Sequence, residues 1–517
     1  MKEYIHNLGS LFNEICLAQP SSIAIAFSNK ETYTFQQLNT DSDKIAQLLL
    51  SKGLKKYDVC AIAGVKKYYT YAAFIACLKI GVTYTFFDPE SPWERLARIF
   101  QKAQPKLVIG YLNDISEPID LSYNQLNFNS LLAELELVFA SKTSFPIPDI
   151  EGSAPAYIMF TSGSTGFPKG AAMSHANVLN FIAWGRQTYS ISHTDVHTNL
   201  NPLYFDNSVF DLYCSLFNGA RLVPVAKSDA LNPKLLLNIL SENKCSTWFS
   251  VPSLLIYLIS SKAIIPEKWI SIKKIIFGGE GFPKAILVKL YSALKSNTRI
   301  YNVYGPTECT CICSSYEVDD SDFMQLDGFL PLGQMAPNFT WQIVDENNRV
   351  SSEKGELLLG GPNVGLGYYN DSILTSDRFI QNPLHNKYFD TFYRTGDLVS
   401  FNQSDNKIYI HGRVDNQIKH MGYRIELEEI ENAMVRLPNI NEAAVFAVED
   451  KNNNKIVGVF ESSVEIDLAE LKAELKKYLP SYMIPAEFKR IDRLSKNANG
   501  KTDRRAIKEK FLEQWQK

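Results

Sequence analysis

Helical and strand patterns alternate along the first 150 residues, and this alternation constrains the fold more than any other feature of the sequence. Apolar residues at helical spacing predict amphipathic helices over 41–53 and 71–80, each stopped by a glycine. Short apolar runs predict buried strands over 59–64, 82–87 and 107–110. Strands that alternate with helices in this way form βαβ units, so we expect a largely parallel sheet.

The pattern changes after Asp397. Strands and charged helices are predicted there, in the order 407–411, 443–448, 456–460, 468–477 and 504–515. This is the content of a small α+β domain. We therefore predict an α/β protein with a large N-terminal domain of residues 1–414, built from mostly parallel sheets with flanking helices. A small, mobile C-terminal α+β domain is expected over 415–517.

Charge and cysteine content exclude several classes of protein. The chain of 517 residues holds 53 basic and 56 acidic residues, so its formal net charge is −3. That balance lacks the positive excess that nucleic-acid binding requires. The eight cysteines are scattered and have neither zinc-ligand spacing nor a disulfide framework, which predicts reduced thiols. Because no signal-peptide pattern and no apolar run of roughly 20 residues is present, we expect a cytoplasmic protein without membrane contact.

The segment 157–170, YIMFTSGSTGFPKG, joins an apolar strand to a loop of glycine, serine and threonine that ends in a lysine. Glycines let backbone N–H groups converge, hydroxyls add donors and the lysine adds positive charge, so the loop suits a phosphate group. It lacks the G-x-x-x-x-G-K-[ST] spacing of a Walker A loop. The predicted phosphate ligands are Thr161, Ser162, Gly163, Ser164, Thr165, Gly166 and Lys169.

Five further motifs follow one another along the chain. They are LKIGVTYTFFD at 78–88, NVYGPTE at 302–308, YRTGDL at 393–398, GRVDNQIKHMGYRIE at 412–426 and NGKTDR at 499–504. With the phosphate loop they resemble, in order, the motifs of the adenylate-forming superfamily. That family includes acyl-CoA synthetases, luciferases and the adenylation domains of nonribosomal peptide synthesis. The resemblance covers essentially the whole chain, with one departure at the Thr-Phe-Phe before Asp88, where the family usually has Val-Pro-Ile.

The resemblance implies a site for ATP with Mg²⁺. Tyr304 would stack on adenine, and Asn302 would contact the adenine edge. Asp397 would accept from the ribose hydroxyls, and Arg413 would contact ribose or phosphate. Taken singly, these residues have ordinary structural explanations, such as a core tyrosine or a turn aspartate. Outside the phosphate loop, the implied nucleotide set is Gly279, Glu280, Asn302, Tyr304, Asp397 and Arg413.

Three residues are implied to act at the reacting phosphate. Glu308 would hold Mg²⁺ beside the triphosphate, and Thr307 would donate to the adenylate phosphate. Lys501 lies in the turn NANGK, and the resemblance implies that it neutralises charge as the α-phosphate is attacked. The basic run around it is otherwise typical of a solvated helix face. Asp415 matches the family's hinge, about which the small domain would rotate between two half-reactions.

Asp206, in the segment NPLYFDNSVFDLY at 201–213, indicates which acid is activated. In amino-acid-activating members of the family, a matching Phe-Asp places a carboxylate against the substrate α-ammonium, which satisfies a buried negative charge. The alternative is that Asp206 caps a turn. Asp211, five residues later, is interpreted as structural. The other pocket residues implied by the resemblance are Asn207, Phe210, Ser250, Ile276, Gly278, Val303, Cys311 and Ile312.

This implied pocket has Phe210 as its floor and carries no further charge, which favours a small apolar amino acid. Its motifs resemble those of two stand-alone groups, the D-alanine–carrier protein ligases and the prolyl-carrier protein ligases. Asn207 departs from the leucine common in both groups, and Gly278 is smaller than the residue of the D-alanine group. The expected substrate is therefore L-proline or alanine in either hand, with L-proline favoured.

The chain ends 16 residues after Lys501, which leaves no room for a carrier domain of about 80 residues. The expected acceptor is the phosphopantetheine thiol of a separate carrier protein. The predicted enzyme is thus an amino acid–carrier protein ligase that forms aminoacyl-AMP and releases pyrophosphate. The alternative is an acyl- or aryl-CoA synthetase on the same fold, in which Asp206 would lack a partner. Lys169, Glu308 and Lys501 disfavour a nucleotide-binding regulator without catalysis.

Overall fold

The computed structural model of the chain describes residues 4–120, 122–129, 148–163, 167–337, 339–351, 353–450, 453–496 and 502–514. At 449, 450, 453, 454 and 514 it describes the backbone alone. The strands up to residue 413 are β1 Ile23–Ala26, β2 Thr32–Thr34, β3 Val59–Ala63, β4 Thr83–Phe87, β5 Leu107–Gly110, β6 Gln125–Asn127, β7 Pro155–Thr161, β8 Lys169–Ser174, β9 Val196–Asn199, β10 Arg221–Pro224, β11 Thr247–Ser250, β12 Lys274–Gly278, β13 Arg299–Tyr304, β14 Ser314–Glu317, β15 Gln334–Met335, β16 Thr340–Val344, β17 Lys354–Gly360, β18 Gly367–Tyr368, β19 Phe379–Gln381, β20 Thr391–Asn402 and β21 Lys407–Arg413. The helices of this part are α1 Leu8–Ala18, α2 Phe35–Ser51, α3 Tyr68–Ile80, α4 Trp93–Ala103, α5 His175–Thr188, α6 Asn207–Leu216, α7 Lys227–Ala230, α8 Pro233–Asn243, α9 Pro252–Ser260, α10 Lys284–Leu294 and α11 Ser372–Arg378.

Two sheets form the framework of this part of the chain. The first has nine strands in the order β15-β14-β13-β12-β11-β9-β10-β1-β2, and its strands from β13 to β1 are parallel. The second has seven strands in the order β18-β8-β7-β4-β3-β5-β6, and those from β7 to β6 are parallel. A third, antiparallel sheet holds β16, β17, β20, β19 and β21. The predicted fold class, with mostly parallel sheets and flanking helices, is confirmed.

Helices α3 and α6 pack within the largest hydrophobic core and join the two sheets. Phe74 of α3 contacts Tyr84 of β4 and Tyr213 of α6, with ring centroids 5.6 and 6.0 Å apart. The hydroxyls of Tyr84 and Tyr213 lie 2.9 Å apart, so each buried phenol has a partner. Nearly all of α3 is buried, because both its faces meet other elements.

Helix α2 begins at Phe35, six residues before the predicted start at 41. Thr34 accepts from the backbone N–H of Gln37 at 3.2 Å, and the Gln37 side chain accepts from the Thr34 N–H at 2.8 Å. This capping box satisfies two donors that a helix start would otherwise leave free. The stretch 39–44 is polar throughout and separates the buried Phe35 and Leu38 from Ile45, which is why apolar periodicity alone placed the start too late.

The remaining part of the chain contains two small sheets. Its strands and helices are β22 Gln417–His420, β23 Tyr423–Glu426, α12 Leu427–Val435, β24 Glu442–Asp450, β25 Asn453–Glu461, α13 Leu468–Leu475, β26 Glu487–Ile491 and α14 Arg504–Gln514. Strands β22 and β23 form a hairpin, and β24, β25 and β26 form a three-stranded sheet. The predicted α+β character is confirmed. Asp415 lies between β21 and β22, and the boundary and hinge assigned to it remain predictions.

Several whole-chain features bear on function. None of the helices in the described ranges is both long and apolar enough to cross a membrane. All eight cysteines are buried and free. In the same ranges, no cluster of three or more histidine, cysteine or acidic side chains is arranged to hold a metal ion.

Candidate active site

A cleft opens where the parallel strands of both large sheets reach their carboxyl ends. The residues that line it at these strand ends are Phe87, Thr161, Phe249, Gly278 and Tyr304. Ligands of α/β proteins bind at this edge, where loops leave the sheet. The hairpin β22–β23 completes the cleft from the other part of the chain.

The predicted phosphate loop leaves β7 at one wall of the cleft. Thr161 pairs with Lys169 across β7 and β8, so the two ends of the loop lie side by side. The Thr161 hydroxyl is buried and has no hydrogen-bond partner among the described residues, which leaves it available to a ligand. Gly163 admits no side chain, because an added Cβ would lie 1.9 Å from the carbonyl oxygen of Phe167. The part of the loop outside the described residues is Ser164, Thr165 and Gly166.

Glu308 follows the cleft residue Thr307 in the 3₁₀ turn Thr307–Cys309, and its side chain is fully buried beside the cleft residue Arg424. Its Oε1 accepts from the Tyr368 hydroxyl at 2.6 Å, and its Oε2 pairs with Arg424 Nη1 at 2.6 Å. Burial alone would raise the pKa of Glu308, but the positive charges of Arg424 and Lys169 lower that pKa to about 2. The carboxylate is thus held ionised and paired with a cation. It fits Mg²⁺, which prefers carboxylate oxygen and would compete with Arg424 for it.

The hairpin engages three of the predicted ligands of the triphosphate and its metal. Ser162 Oγ donates to the carbonyl oxygen of Arg424 at 2.6 Å and accepts from the Glu426 N–H at 3.0 Å. Lys169 Nζ pairs with Glu426 Oε1 at 3.1 Å. Since Arg424 also pairs with Glu308, strand β23 satisfies a hydroxyl, an ammonium and a carboxylate together. These buried charges are therefore neutralised without a nucleotide.

Glu280 also contacts the hairpin. Its Oε1 accepts from the Gly422 N–H at 2.5 Å. Gly422 has φ +83°, and an added Cβ would lie 2.7 Å from a methyl group of Val251, so the turn requires glycine. The neighbouring Gly279 lines the cleft. Of the predicted nucleotide residues, Glu280 is therefore occupied by the hairpin in this arrangement.

The predicted adenine and ribose residues form a polar cluster. The Tyr304 hydroxyl donates to Asp397 at 2.6 Å, and Arg413 pairs with the other oxygen of Asp397 at 2.6 Å. Arg413 also makes a bidentate pair with Asp415, at 2.6 and 2.8 Å, which lowers the pKa of Asp415 against the opposing effect of burial. The Lys419 ammonium lies 5.8 Å from the centroid of the Tyr304 ring. Tyr304, Asp397, Arg413 and Lys419 all line the cleft.

Asn302, the residue predicted to contact the adenine edge, lies outside this polar cluster. Its amide donates to the carbonyl oxygen of Pro331 at 2.8 Å and is not among the residues that line the cleft. The predicted contact of this amide with adenine stays a prediction.

Asp206 lies at the start of α6 and lines the cleft. Its Oδ2 accepts from the Thr307 hydroxyl at 2.6 Å. Burial raises the pKa of Asp206, opposed by the Thr307 hydrogen bond and by the charge of Arg424. Among the described residues, no cationic side chain lies within 4.0 Å of this carboxylate. Asp206 is therefore a cleft carboxylate without its own cation.

The predicted pocket residues divide into two sets. Five line the cleft: Asn207, Gly278, Val303, Cys311 and Ile312. Three do not: Phe210, Ser250 and Ile276. Phe210 and Ile276 are buried in the core behind the cleft.

Ser250 faces the opposite side of β11, where its hydroxyl accepts from Trp248 Nε1 at 2.8 Å. Side chains alternate along a strand, so the cleft receives Phe249 instead. The Phe249 ring stands edge-on to Phe210 at 5.1 Å. Phe249 was missed because a motif gives the order of residues along β11 but not the face that each side chain occupies.

Lys501 lies outside the described residues. The residues beside it follow the small sheet: Thr502 donates to Glu442 at the start of β24, and Arg504 pairs with Glu431 of α12. The small-domain residues that line the cleft are instead Gln417, Lys419, Gly422, Arg424 and Tyr482. The hairpin, not the flanks of Lys501, faces the cleft in this arrangement.

Two further contacts join the hairpin part of the chain to the large part. Arg95 of α4 and Glu429 of α12 form a buried ion pair. Tyr423 stacks on Tyr482 at 3.6 Å and meets the edge of Phe205 at 4.9 Å, one residue before Asp206. Sequence reasoning named neither these residues nor Lys419, Arg424 and Glu426 individually. The signal for the last three was their place in the 412–426 motif.

With this geometry, the chain belongs to the family of AMP-binding enzymes, the adenylate-forming superfamily. Residues 12–369 match the AMP-binding enzyme family, and residues 429–501 match the AMP-binding enzyme C-terminal domain.

Individual proteins extend this match. The chain is 33% identical to an L-proline–[L-prolyl-carrier protein] ligase of Pseudomonas fluorescens over 445 residues, 84% of this chain and 86% of that protein. It is 32% identical to bacitracin synthase 1 of Bacillus licheniformis over 97% of this chain, which spans 9% of that synthase. Its fold is similar to that of NpsA-ThdA, an artificially fused adenylation-PCP di-domain from Klebsiella oxytoca, with a TM-score of 0.83, 22% identity and coverage of 95% of both chains.

Proposed function

We propose that this chain activates an amino acid as aminoacyl-AMP, with release of pyrophosphate. It then transfers the aminoacyl group to the phosphopantetheine thiol of a separate carrier protein. The carrier acceptor is supported by the prolyl-carrier protein ligase, which the chain matches along most of both lengths.

The observation that carries this proposal is Asp206. Its carboxylate faces the cleft with one hydroxyl partner and, among the described residues, no cation within 4.0 Å. A carboxylate in such a position is stabilised by an incoming cation that also donates hydrogen bonds. The α-ammonium of an amino acid supplies both. A fatty or aryl acid would leave Asp206 unpaired, which disfavours the acyl- or aryl-CoA synthetase alternative.

The other groups support adenylation. The Thr161 hydroxyl, which has no partner among the described residues, the Lys169 ammonium and the loop glycines suit the phosphates, and Tyr304 with Asp397 suits the nucleoside. Glu308 would hold Mg²⁺, which when bound screens the charge of the phosphates. Thr307 lies beside Glu308, and its hydroxyl, which donates to Asp206 in this arrangement, would turn to donate to the adenylate phosphate. Lys501 is proposed to enter the cleft and to stabilise the charge that develops at the α-phosphate.

We propose that the two parts of the chain change orientation, and the contacts of β23 support this. Ser162, Lys169 and Glu308 cannot bind Arg424 and Glu426 and, at the same time, serve ATP with Mg²⁺. We therefore assign the arrangement with the hairpin in the cleft to the stage after pyrophosphate leaves. Rotation about Asp415 would exchange this hairpin for Lys501.

The proposed substrate is a small amino acid without a charged side chain, L-proline or alanine in either hand. The pocket beside Asp206 is lined by Phe249, Val303, Cys311 and Ile312, and no charged side chain stands among these four. Gly278 lines the same pocket and admits no side chain, because an added Cβ would lie 2.5 Å from the carbonyl oxygen of Val303.

The test is ATP–pyrophosphate exchange with Mg²⁺ across a panel of L-amino acids, D-alanine, fatty acids and aryl acids. We expect exchange with one uncharged amino acid. Asp206→Asn keeps the acceptor for Thr307 but loses the charge, so exchange should fall at least about thirtyfold, from roughly 2 kcal/mol for one partner of a buried charge pair. Asp322→Asn is the matched control, because Asp322 is also buried and accepts from a hydroxyl, that of Tyr316. Exchange only with acids that lack an amino group would overturn the proposal.

A further inference from the structure

Asp211 and Lys66 carry opposite charges and hold the same chain segment, although they do not form an ion pair within 4.0 Å of each other. Asp211 lies on α6, and Lys66 follows the end of β3. The Lys66 ammonium donates to the carbonyl oxygens of Asn199, Leu200 and Val225, at 2.7, 2.9 and 2.9 Å. It therefore joins the end of β3, in the seven-stranded sheet, to the ends of β9 and β10, in the nine-stranded sheet.

Asp211 holds the same segment from the opposite side. Its Oδ2 accepts from Asn199 Nδ2 at 3.0 Å, from the Asn201 N–H at 3.3 Å and from Asn201 Nδ2 at 3.0 Å. Its Oδ1 is buried and has no partner among the described residues. Burial lowers the pKa of Lys66 and raises that of Asp211, and each charge opposes the shift of the other. Each charge thus favours the ionised form of the other.

The segment that these residues hold leads directly to Asp206. It leaves β9 at Asn199 and enters α6 after Asp206, so Asp211 ties its beginning to the helix at its end. Asn201 Nδ2 also donates to the carbonyl oxygen of Phe249, a residue of the pocket wall, at 3.2 Å. One hydrogen-bond network therefore holds the segment that leads to Asp206 and also contacts Phe249 in the pocket wall.

We propose that Asp211 and Lys66 are positioning residues for amino-acid recognition, acting through segment 199–201 on Asp206 and Phe249. This inference rests on the proposed function and deepens it. Neither residue touches the cleft in this structure. Their effect should therefore fall on the amino acid and spare ATP, whose implied ligands lie on other elements.

The test compares Asp211→Asn with Asp43→Asn. Asn at 211 keeps an oxygen for the three N–H donors and removes the charge that balances Lys66. A Lys66 that loses its proton or shifts can no longer hold all three carbonyls. Asp43 is the matched control because it pairs, at 2.6 Å, with another buried lysine, Lys79, which donates to Asn39 and Ser42.

The assay is ATP–pyrophosphate exchange with the amino acid that supports it and with the acid that lacks its amino group. For Asp211→Asn we expect KM for the amino acid to rise about tenfold to a hundredfold, as expected for small misplacement of a binding group, with KM for ATP within about twofold. The preference for the amino acid over its des-amino analogue should narrow, since that preference reports on Asp206. Asp43→Asn should lower stability and leave both values unchanged.

Several outcomes separate the possibilities. If the wild-type chain shows no exchange with any amino acid, the proposed function fails. If the wild-type chain does show exchange, two results for Asp211→Asn would refute the positioning role and leave the proposed function standing. One is an equal change in KM for the amino acid and KM for ATP, and the other is the same kinetic behaviour as Asp43→Asn. If Asp211→Asn does not fold, Lys66→Met/Asp211→Asn removes both charges and is assayed in the same way. A double variant that also fails to fold assigns the pair to stability and overturns the proposal.

Discussion

Replacing Arg424 by glutamine tests whether β23 and the nucleotide compete for the same groups. Arg424 lies 2.6 Å from Glu308, and the pKa of Glu308 falls from an ordinary 4.5 to about 2 in the presence of Arg424 and Lys169. At 1.36 kcal/mol per pKa unit, this fall in pKa corresponds to about 3 kcal/mol of net preference for the ionised form. Of these two cations, Arg424 lowers the pKa of Glu308 more and is the one that pairs directly with it.

If Arg424 provides somewhat more than half of this preference, its loss removes about 2 kcal/mol from the arrangement with the hairpin in the cleft. The equilibrium ratio of that arrangement to the alternative one should then fall roughly thirtyfold. We expect Arg424→Gln to retain amino-acid-dependent ATP–pyrophosphate exchange. Single-turnover transfer from supplied aminoacyl-AMP to the carrier thiol should slow by a similar factor.

Arg299→Gln is the matched control. Arg299 also pairs with a glutamate, Glu317, but both side chains are largely exposed, and such pairs contribute little. It should change neither half-reaction. Equal losses in exchange and transfer for Arg424→Gln, or transfer at the wild-type rate, would refute the competition.

Three further predictions concern single residues. Thr161→Val should raise KM for ATP about tenfold while thermal stability is kept, because the hydroxyl has no partner among the described residues, and an unchanged KM would contradict its role. Lys501→Ala should abolish pyrophosphate exchange yet spare transfer from supplied aminoacyl-AMP, and wild-type exchange would exclude its role in adenylation. Burial lowers the pKa of His175 from 6.5 to about 4. Between these pH values the unfolded chain protonates this histidine and the folded chain does not, so the free energy of unfolding should fall by about 3 kcal/mol as the pH drops from 6.5 to 4. His175→Asn offers an acceptor to the Leu8 N–H without titrating, so urea unfolding should show a shallower pH dependence, and an unaltered slope would argue against this assignment.

Local sequence patterns predicted the elements better than their contacts. The strand at Leu107–Gly110 matches its predicted bounds, because a short buried strand between turns has a clear apolar pattern. The start of α2 was missed because Thr34 and Gln37 act through polar caps. The two-domain α/β architecture followed from the order of elements, and that order can be predicted without knowing which side chains contact each other.

Long-range pairing limits what the sequence predicts of the site. Glu308 and Arg424 are separated by 116 positions, and Lys169 and Glu426 by 257, so no local pattern links them. Ser250 was expected in the pocket because a motif fixes the order of residues along β11 and not the face that each occupies. Asp206 was identified because its neighbours form a motif, whereas its lack of a cation became visible only in three dimensions.

The position of β23 also affects how tightly ATP should bind. A hairpin joined to the chain by a short connection acts as a tethered competitor, whose effective concentration at Ser162, Lys169 and Glu308 does not depend on how much protein is present. ATP must displace this competitor, so its measured affinity is set by the difference between two sets of contacts. Weakening the tethered strand should therefore make the chain bind ATP more tightly, even though every group that touches ATP is unchanged.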